Sequence, residues 1–140
     1  MTPDLLFLLL DKPPPAALDF VDRLLLASMR HWLKAARTGQ PVTAALRVGL
    51  EHFGMSEAAG SVSAFMEEAG VAWPDPLRLY PLGCGCVISD DEWLLLALLR
   101  DAARGARTDF DWRLSEMVGL SARNRLWDTA RRLARVAGRA

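Results

Sequence analysis

Cys84 and Cys86, separated by one glycine, are the residues whose types and spacing most readily suggest chemistry. Structural zinc takes four ligands, so the two thiolates would need His31 and His52, the only histidines of the chain, to complete a Cys2His2 site. The C-x-C spacing differs from the C-x2-C of common zinc sites, and neither histidine lies in a cluster of ligands. A metal or thiol sensor at Cys84 and Cys86 therefore stays an alternative, and we expect no cofactor.

A redox or nucleophilic cysteine needs a stabilised thiolate. The helix predicted behind Ser89 would offer roughly half a positive charge at its N-terminus. Asp90, Asp91 and Glu92 set three negative charges against it, which disfavours both a thiolate and a bound phosphate. We therefore interpret residues 81–86 as a structural turn, in which the cysteines act as small buried hydrophobic side chains.

The arginines near the C-terminus suggest a second kind of site. Residues 115–121, "SEMVGLS", resemble the turn of a helix-turn-helix around Gly119, which would make the following helix a recognition helix. Hydrophobic residues expected six and nine positions after that glycine are replaced by Arg125 and Asp128. With Leu126 and Trp127 packed inward instead, the outward side carries a basic stripe. The candidates for binding nucleic acid or a protein partner are Arg123, Arg125, Arg132 and Arg135, with Arg139 near the same side.

Charge is divided unevenly along a chain whose formal net charge is zero. Residues 1–92 carry seven basic and twelve acidic side chains, and residues 93–140 carry ten arginines and five acids. This split of −5 and +5 indicates attraction between the two halves, within the fold or across a dimer, although an external anionic partner is the alternative.

Periodicity predicts a single all-α domain over residues 1–140, a compact bundle of six to seven helices. We expect helices at residues 4–11, 15–38, 41–53, 57–69, 90–104, 109–118 and 122–136, and an ordered proline- and glycine-rich loop at about 71–88. In the helix at 15–38, Asp22, Arg30 and the other polar residues share one narrow stripe, which we expect to face water.

The segment "SDDEWLLLALLRDAARG" carries the clearest local signal. Ser89 and Glu92 form a predicted capping box, and the leucines that follow cover nearly the whole helix circumference. Such a helix is buried centrally or at a subunit interface.

Several classes of protein are not expected. The longest uninterrupted apolar run, residues 5–10, is too short to span a bilayer and has no basic segment before it, so we expect neither a membrane span nor a signal peptide. Hydrolase and P-loop motifs are absent, and we do not expect an enzyme. Two cysteines without an export signal favour the cytoplasm.

A cysteine-containing turn precedes an apolar helix in "PLGCGCVISDDEWLLLALLRDA", and the segment "ALRVGLEHFGMSEAAGSVSAFM" lies upstream of it. In this turn and in the layout of the upstream segment, the chain resembles a small family of uncharacterised helical proteins from alphaproteobacteria. The resemblance covers residues 40–105 and implies a bacterial, cytoplasmic, all-α protein, without an activity. We therefore expect a non-enzymatic interaction or regulatory protein that self-associates as a homodimer or binds another protein. A nucleic-acid-binding regulator is the first alternative.

Overall fold

Six α-helices and the loops between them make up this computed structural model, which describes residues 12–138. The helices are α1 (Phe20–Arg37), α2 (Val42–Glu51), α3 (Ala59–Ala72), α4 (Asp90–Arg104), α5 (Arg107–Leu114) and α6 (Leu120–Val136). Short 3-10 turns at Pro15–Ala17 and Ser56–Ala58 precede α1 and α3. No strand forms within residues 12–138, so the prediction of an all-α bundle is confirmed.

The capping box predicted at the start of α4 is present. Ser89 Oγ accepts a hydrogen bond from Glu92 N at 3.0 Å, and Glu92 Oε1 accepts one from Ser89 N at 2.8 Å. The helix ends at Gly105, whose φ of 68° lies in the left-handed region that favours glycine. Local sequence signals thus define both ends of α4.

Other helix boundaries differ from the predictions. Asp19 caps α1 by accepting from Asp22 N, so the helix begins at Phe20 rather than near residue 15. Helix α3 continues through Gly70 to Ala72, because glycine ends a helix only where the chain turns into the left-handed region. Helix α5 ends at Leu114 rather than residue 118, and α6 begins at Leu120 rather than residue 122. The helix predicted at residues 4–11 lies outside the described residues.

Helix α4 is the central helix of the core. Its leucines are almost fully buried within the single chain: Leu95, Leu96, Leu98 and Leu99. They belong to a hydrophobic cluster to which all six helices contribute, and α6 packs between α3 and α4. The apolar circumference of α4 is therefore covered by neighbouring helices of the same chain. None of the helices within residues 12–138 combines the length and apolar character that a bilayer span requires.

The polar stripe of α1 does not simply face water, contrary to the prediction. Asp22 and Arg30 are buried, whereas Arg23 and Lys34 of the same stripe are exposed. Asp22 Oδ2 accepts a hydrogen bond from Arg100 Nη2 of α4 at 2.7 Å. The inner edge of the stripe faces α4 and the loop before it, where each buried charge meets an opposite charge.

We predict that Leu96→Ala lowers the free energy of unfolding by about 2–5 kcal/mol, because it leaves a cavity at a fully buried position. Leu94→Ala, the same substitution two residues away at a partly buried position, should cost clearly less. Urea unfolding of both variants measures the difference. Equal losses would contradict the central placement of Leu96.

Candidate functional site

A buried ion pair joins α1 to α4. Arg30 Nε donates to Glu92 Oε2 at 2.5 Å, and Arg30 Nη2 donates to Glu92 Oε1 at 3.0 Å. The two side chains are 4% and 0% exposed. This is the bidentate geometry in which a planar guanidinium matches a carboxylate. Although 62 residues apart in sequence, the two residues form one rigid contact.

The same pair holds the loop between α3 and α4. Glu92 accepts two further hydrogen bonds, from Ser89 N at 2.8 Å and from Tyr80 N at 3.2 Å. Arg30 in turn donates to Cys84 O at 2.6 Å and to Val87 O at 3.1 Å. Because the carboxylate receives four donors, its buried charge is well compensated.

Asp91 anchors the first part of this loop. Its two carboxylate oxygens accept from Trp73 Nε1 at 3.2 Å and from Arg78 N at 2.8 Å. Ser89 Oγ donates to Arg78 O at 2.6 Å, so the N-cap residue of α4 also binds the loop. The acidic residues at the start of α4 therefore do more than complement the helix dipole.

The turn at Cys84 and Cys86 is held through its backbone. Cys84 is only half-buried and Cys86 is exposed, so the prediction that both act as buried hydrophobic side chains is wrong. Arg30 binds the carbonyl oxygens of Cys84 and Val87, and these bonds fix the turn without burying its thiols. Within residues 12–138 no three His, Cys, Asp or Glu side chains gather as a metal site would require. The metal or thiol sensor stays a prediction.

Two clefts flank the loop, and Leu79 and Tyr80 line both. The first, which we call the proline cleft, has a volume of about 650 Å³. Its apolar lining consists of Trp73, Pro74, Pro76, Leu79, Tyr80 and Met117. The second, which we call the cationic cleft, has a volume of about 480 Å³ and lies against the C-terminal half of α1. The backbone anchored at Tyr80 thus forms the wall between two cavities of ligand-binding size.

Arg123 and Arg125 are engaged within the chain. The side chain of Arg123 is 17% exposed, and its Nη1 donates to Asp111 O at 3.5 Å. Arg125 is exposed, but its Nε lies 3.4 Å from Glu68 Oε2 of α3. Of the four candidate arginines, Arg123 therefore turns away from the exposed side.

Arg132 and Arg135 lie on the exposed side of α6 as predicted. Neither forms an ion pair with another side chain of residues 12–138. With Arg125 they follow one line along the helix, and Asp128 lies on the same exposed side. Arg139 is outside the described residues. Nucleic-acid binding stays a prediction that now rests on Arg125, Arg132 and Arg135.

Ion pairs within the chain neutralise some of the opposite charges of its two halves. Arg100 pairs with Asp22, and Arg125 with Glu68, across the division at residue 92. Arg104 and Arg113 both bind the fully buried Asp101 within the C-terminal half. Of these contacts, only the two pairs that cross the division fit the prediction that the two halves attract each other inside the fold.

No family model, curated protein or solved structure matches this chain. The resemblance to the alphaproteobacterial family therefore stays a prediction.

We predict that Glu92→Gln lowers the free energy of unfolding by about 3–5 kcal/mol, because it leaves the buried Arg30 charge without its partner. Glu67→Gln, the same substitution at an exposed position of α3, should change it by less than about 0.5 kcal/mol. Combining Glu92→Gln with Arg30→Met should restore part of the loss. Denaturant unfolding measures all three, and strictly additive losses would contradict a direct pair.

Proposed function

We propose that this chain is a non-enzymatic, cytoplasmic interaction protein that associates with a second copy of itself through one end of the bundle. The observation that carries the proposal is the position of Trp112. Its side chain is 80% exposed, although tryptophan is a residue type that proteins usually cover. Free thiols at Cys84 and Cys86 are in keeping with a reducing compartment.

Besides Trp112, two exposed apolar side chains lie near helix ends. Val71 in the last turn of α3 is 77% exposed, and Leu120 at the start of α6 is 60% exposed. The Arg125–Glu68 ion pair places the start of α6 beside the end of α3. We call Val71, Trp112 and Leu120 the apolar end.

The hydrogen bond from Arg123 to Asp111 O likewise places the start of α6 beside the last turn of α5, which carries Trp112. The start of α6, which carries Leu120, therefore lies next to segments of both α3 and α5. Exposed apolar side chains that form a contiguous patch mark interaction sites in proteins that are otherwise polar at the surface, and we infer that these three do so.

The proline cleft adjoins the apolar end. Met117 lines the cleft and follows Trp112 by five residues, through the turns that continue α5. Trp73 and Tyr80 add aromatic surface to the cleft, and such side chains are enriched where protein interfaces concentrate their binding energy. In the proposed interface, Trp112 and this cleft lie on the same face of the molecule.

A second copy of the chain is the partner that suits this arrangement. In a two-fold symmetric dimer the same surface serves both subunits, so a protrusion and a cavity on one face can each fill the other. In the proposed dimer, Trp112 of each copy enters the proline cleft of the other. The formal net charge of zero removes long-range repulsion between copies.

Sequence reasoning missed Trp112, although a signal exists. Phe110 and Leu114, four residues apart, form the buried side of α5. Trp112 lies two residues from each and between two charged residues, so it falls on the opposite side of a short helix.

We predict that wild-type protein shows a mass that rises with concentration from 15.4 kDa toward twice that value in sedimentation equilibrium. Trp112→Glu should weaken dimerisation at least roughly 30-fold, because the substitution removes an aromatic anchor and adds a charge. Val48→Glu adds the same charge at an exposed apolar position of α2 and should leave dimerisation unchanged. Circular dichroism checks that both variants fold.

A mixing experiment tests the proposed exchange of side chains. Met117→Arg blocks the proline cleft but keeps Trp112, whereas Trp112→Glu keeps the cleft. Each variant alone should remain monomeric, and an equimolar mixture should dimerise in part because one of the two symmetric contacts is intact. A wild-type protein that stays monomeric at high concentration would overturn the proposal, as would a Trp112→Glu variant that dimerises as tightly as wild type.

A further inference from the structure

The cationic cleft lies between the C-terminal half of α1 and the loop segment that Glu92 and Arg30 anchor. Leu33 of α1 and Leu79 of the loop contribute to its apolar lining. Tyr80 and Leu82, also in the lining, are each 40% exposed and thus leave apolar surface uncovered. A volume of about 480 Å³ falls in the range of small-molecule sites, roughly 300–1,000 Å³.

The charged side chains that line this cleft are all cationic among the described residues. The charge of Arg30 is taken up by Glu92. Lys34 and Arg37 have no carboxylate partner within residues 12–138, and Arg37 makes only a long hydrogen bond of 3.5 Å to Leu77 O. Two cations at one edge of an apolar cleft therefore lack a counter-charge.

The end of α1 compensates these two cations only in part. Lys34 and Arg37 are three residues apart on one side of the helix, in its last turn. The helix C-terminus offers roughly half a negative charge, against two full positive charges. An anionic group bound between the two side chains would supply the remainder.

We propose that the cationic cleft binds an alkyl carboxylate. The apolar tail lies against Leu33, Leu79 and Leu82, and the carboxylate accepts hydrogen bonds from Lys34 Nζ and the Arg37 guanidinium. The charge of the head group and the apolar character of the tail are both needed, because the cleft combines two uncompensated cations with open apolar surface. This ligand site is separate from the apolar end and does not depend on self-association.

Isothermal titration calorimetry with decanoate, below its micelle concentration, tests the proposal on the full-length chain. Wild type should bind decanoate saturably at one site per chain. Binding of 1-decanol, which has the same tail without the charge, should be at least about tenfold weaker. The double variant Lys34→Gln/Arg37→Gln should also lose at least about tenfold in affinity for decanoate.

The matched control is Arg23→Gln/Arg47→Gln, which removes two exposed cations that do not line the cleft. It should bind decanoate as wild type does. The proposal is overturned if wild type shows no saturable binding, if both double variants bind alike, or if decanol binds as tightly as decanoate. Binding to vesicles of anionic lipid without binding to free decanoate would also overturn it, since the surface would then recognise a membrane.

Discussion

The buried Arg30–Glu92 pair is the constraint on which the rest of the structure depends. A buried charge is tolerated only when its partner and its remaining hydrogen bonds are all in place, so this contact has one allowed geometry. That geometry fixes α1 against α4 and ties Tyr80, Cys84 and Val87 to the core through their backbone groups. The loop between α3 and α4 contains three prolines and no regular secondary structure, and these bonds hold it in place as the wall between the two clefts.

Both proposed sites use that wall. Leu79 and Tyr80 line the proline cleft on one side and the cationic cleft on the other. The first cleft adjoins the apolar end and suits a protruding aromatic side chain, whereas the second combines apolar surface with Lys34 and Arg37 and suits a small anion with an apolar tail. A loop held only by its two ends would keep neither cleft open, and preorganised walls lower the cost of binding. The ion pair therefore connects the stability of the fold to its binding surfaces.

Local signals in the sequence predict the helices. The surroundings of individual side chains such as Arg30 and Cys86 depend on partners that are distant in the sequence. The capping box of Ser89 and Glu92 spans four residues and could be identified directly, as could the apolar circumference of α4. Nothing in the sequence near Arg30 indicates a partner 62 residues away, and the helical pattern alone therefore predicts that its polar stripe faces water. The exposure of Cys86 escaped prediction for the same reason, because the turn is fixed by Arg30 rather than by burial of its own side chains. In contrast, helical periodicity alone predicts that Arg132 and Arg135 lie on the exposed side of α6.

Amide hydrogen exchange at Tyr80 tests most directly whether the ion pair holds the loop. The Tyr80 N–H donates to Glu92 although it lies outside any helix. In wild type it should exchange at least about a hundredfold more slowly than an unstructured amide. In Arg30→Met that protection should be lost, while the amide of Leu133 in the buried part of α6 stays protected. Rapid exchange of Tyr80 in wild type, or unchanged protection in Arg30→Met, would contradict the account.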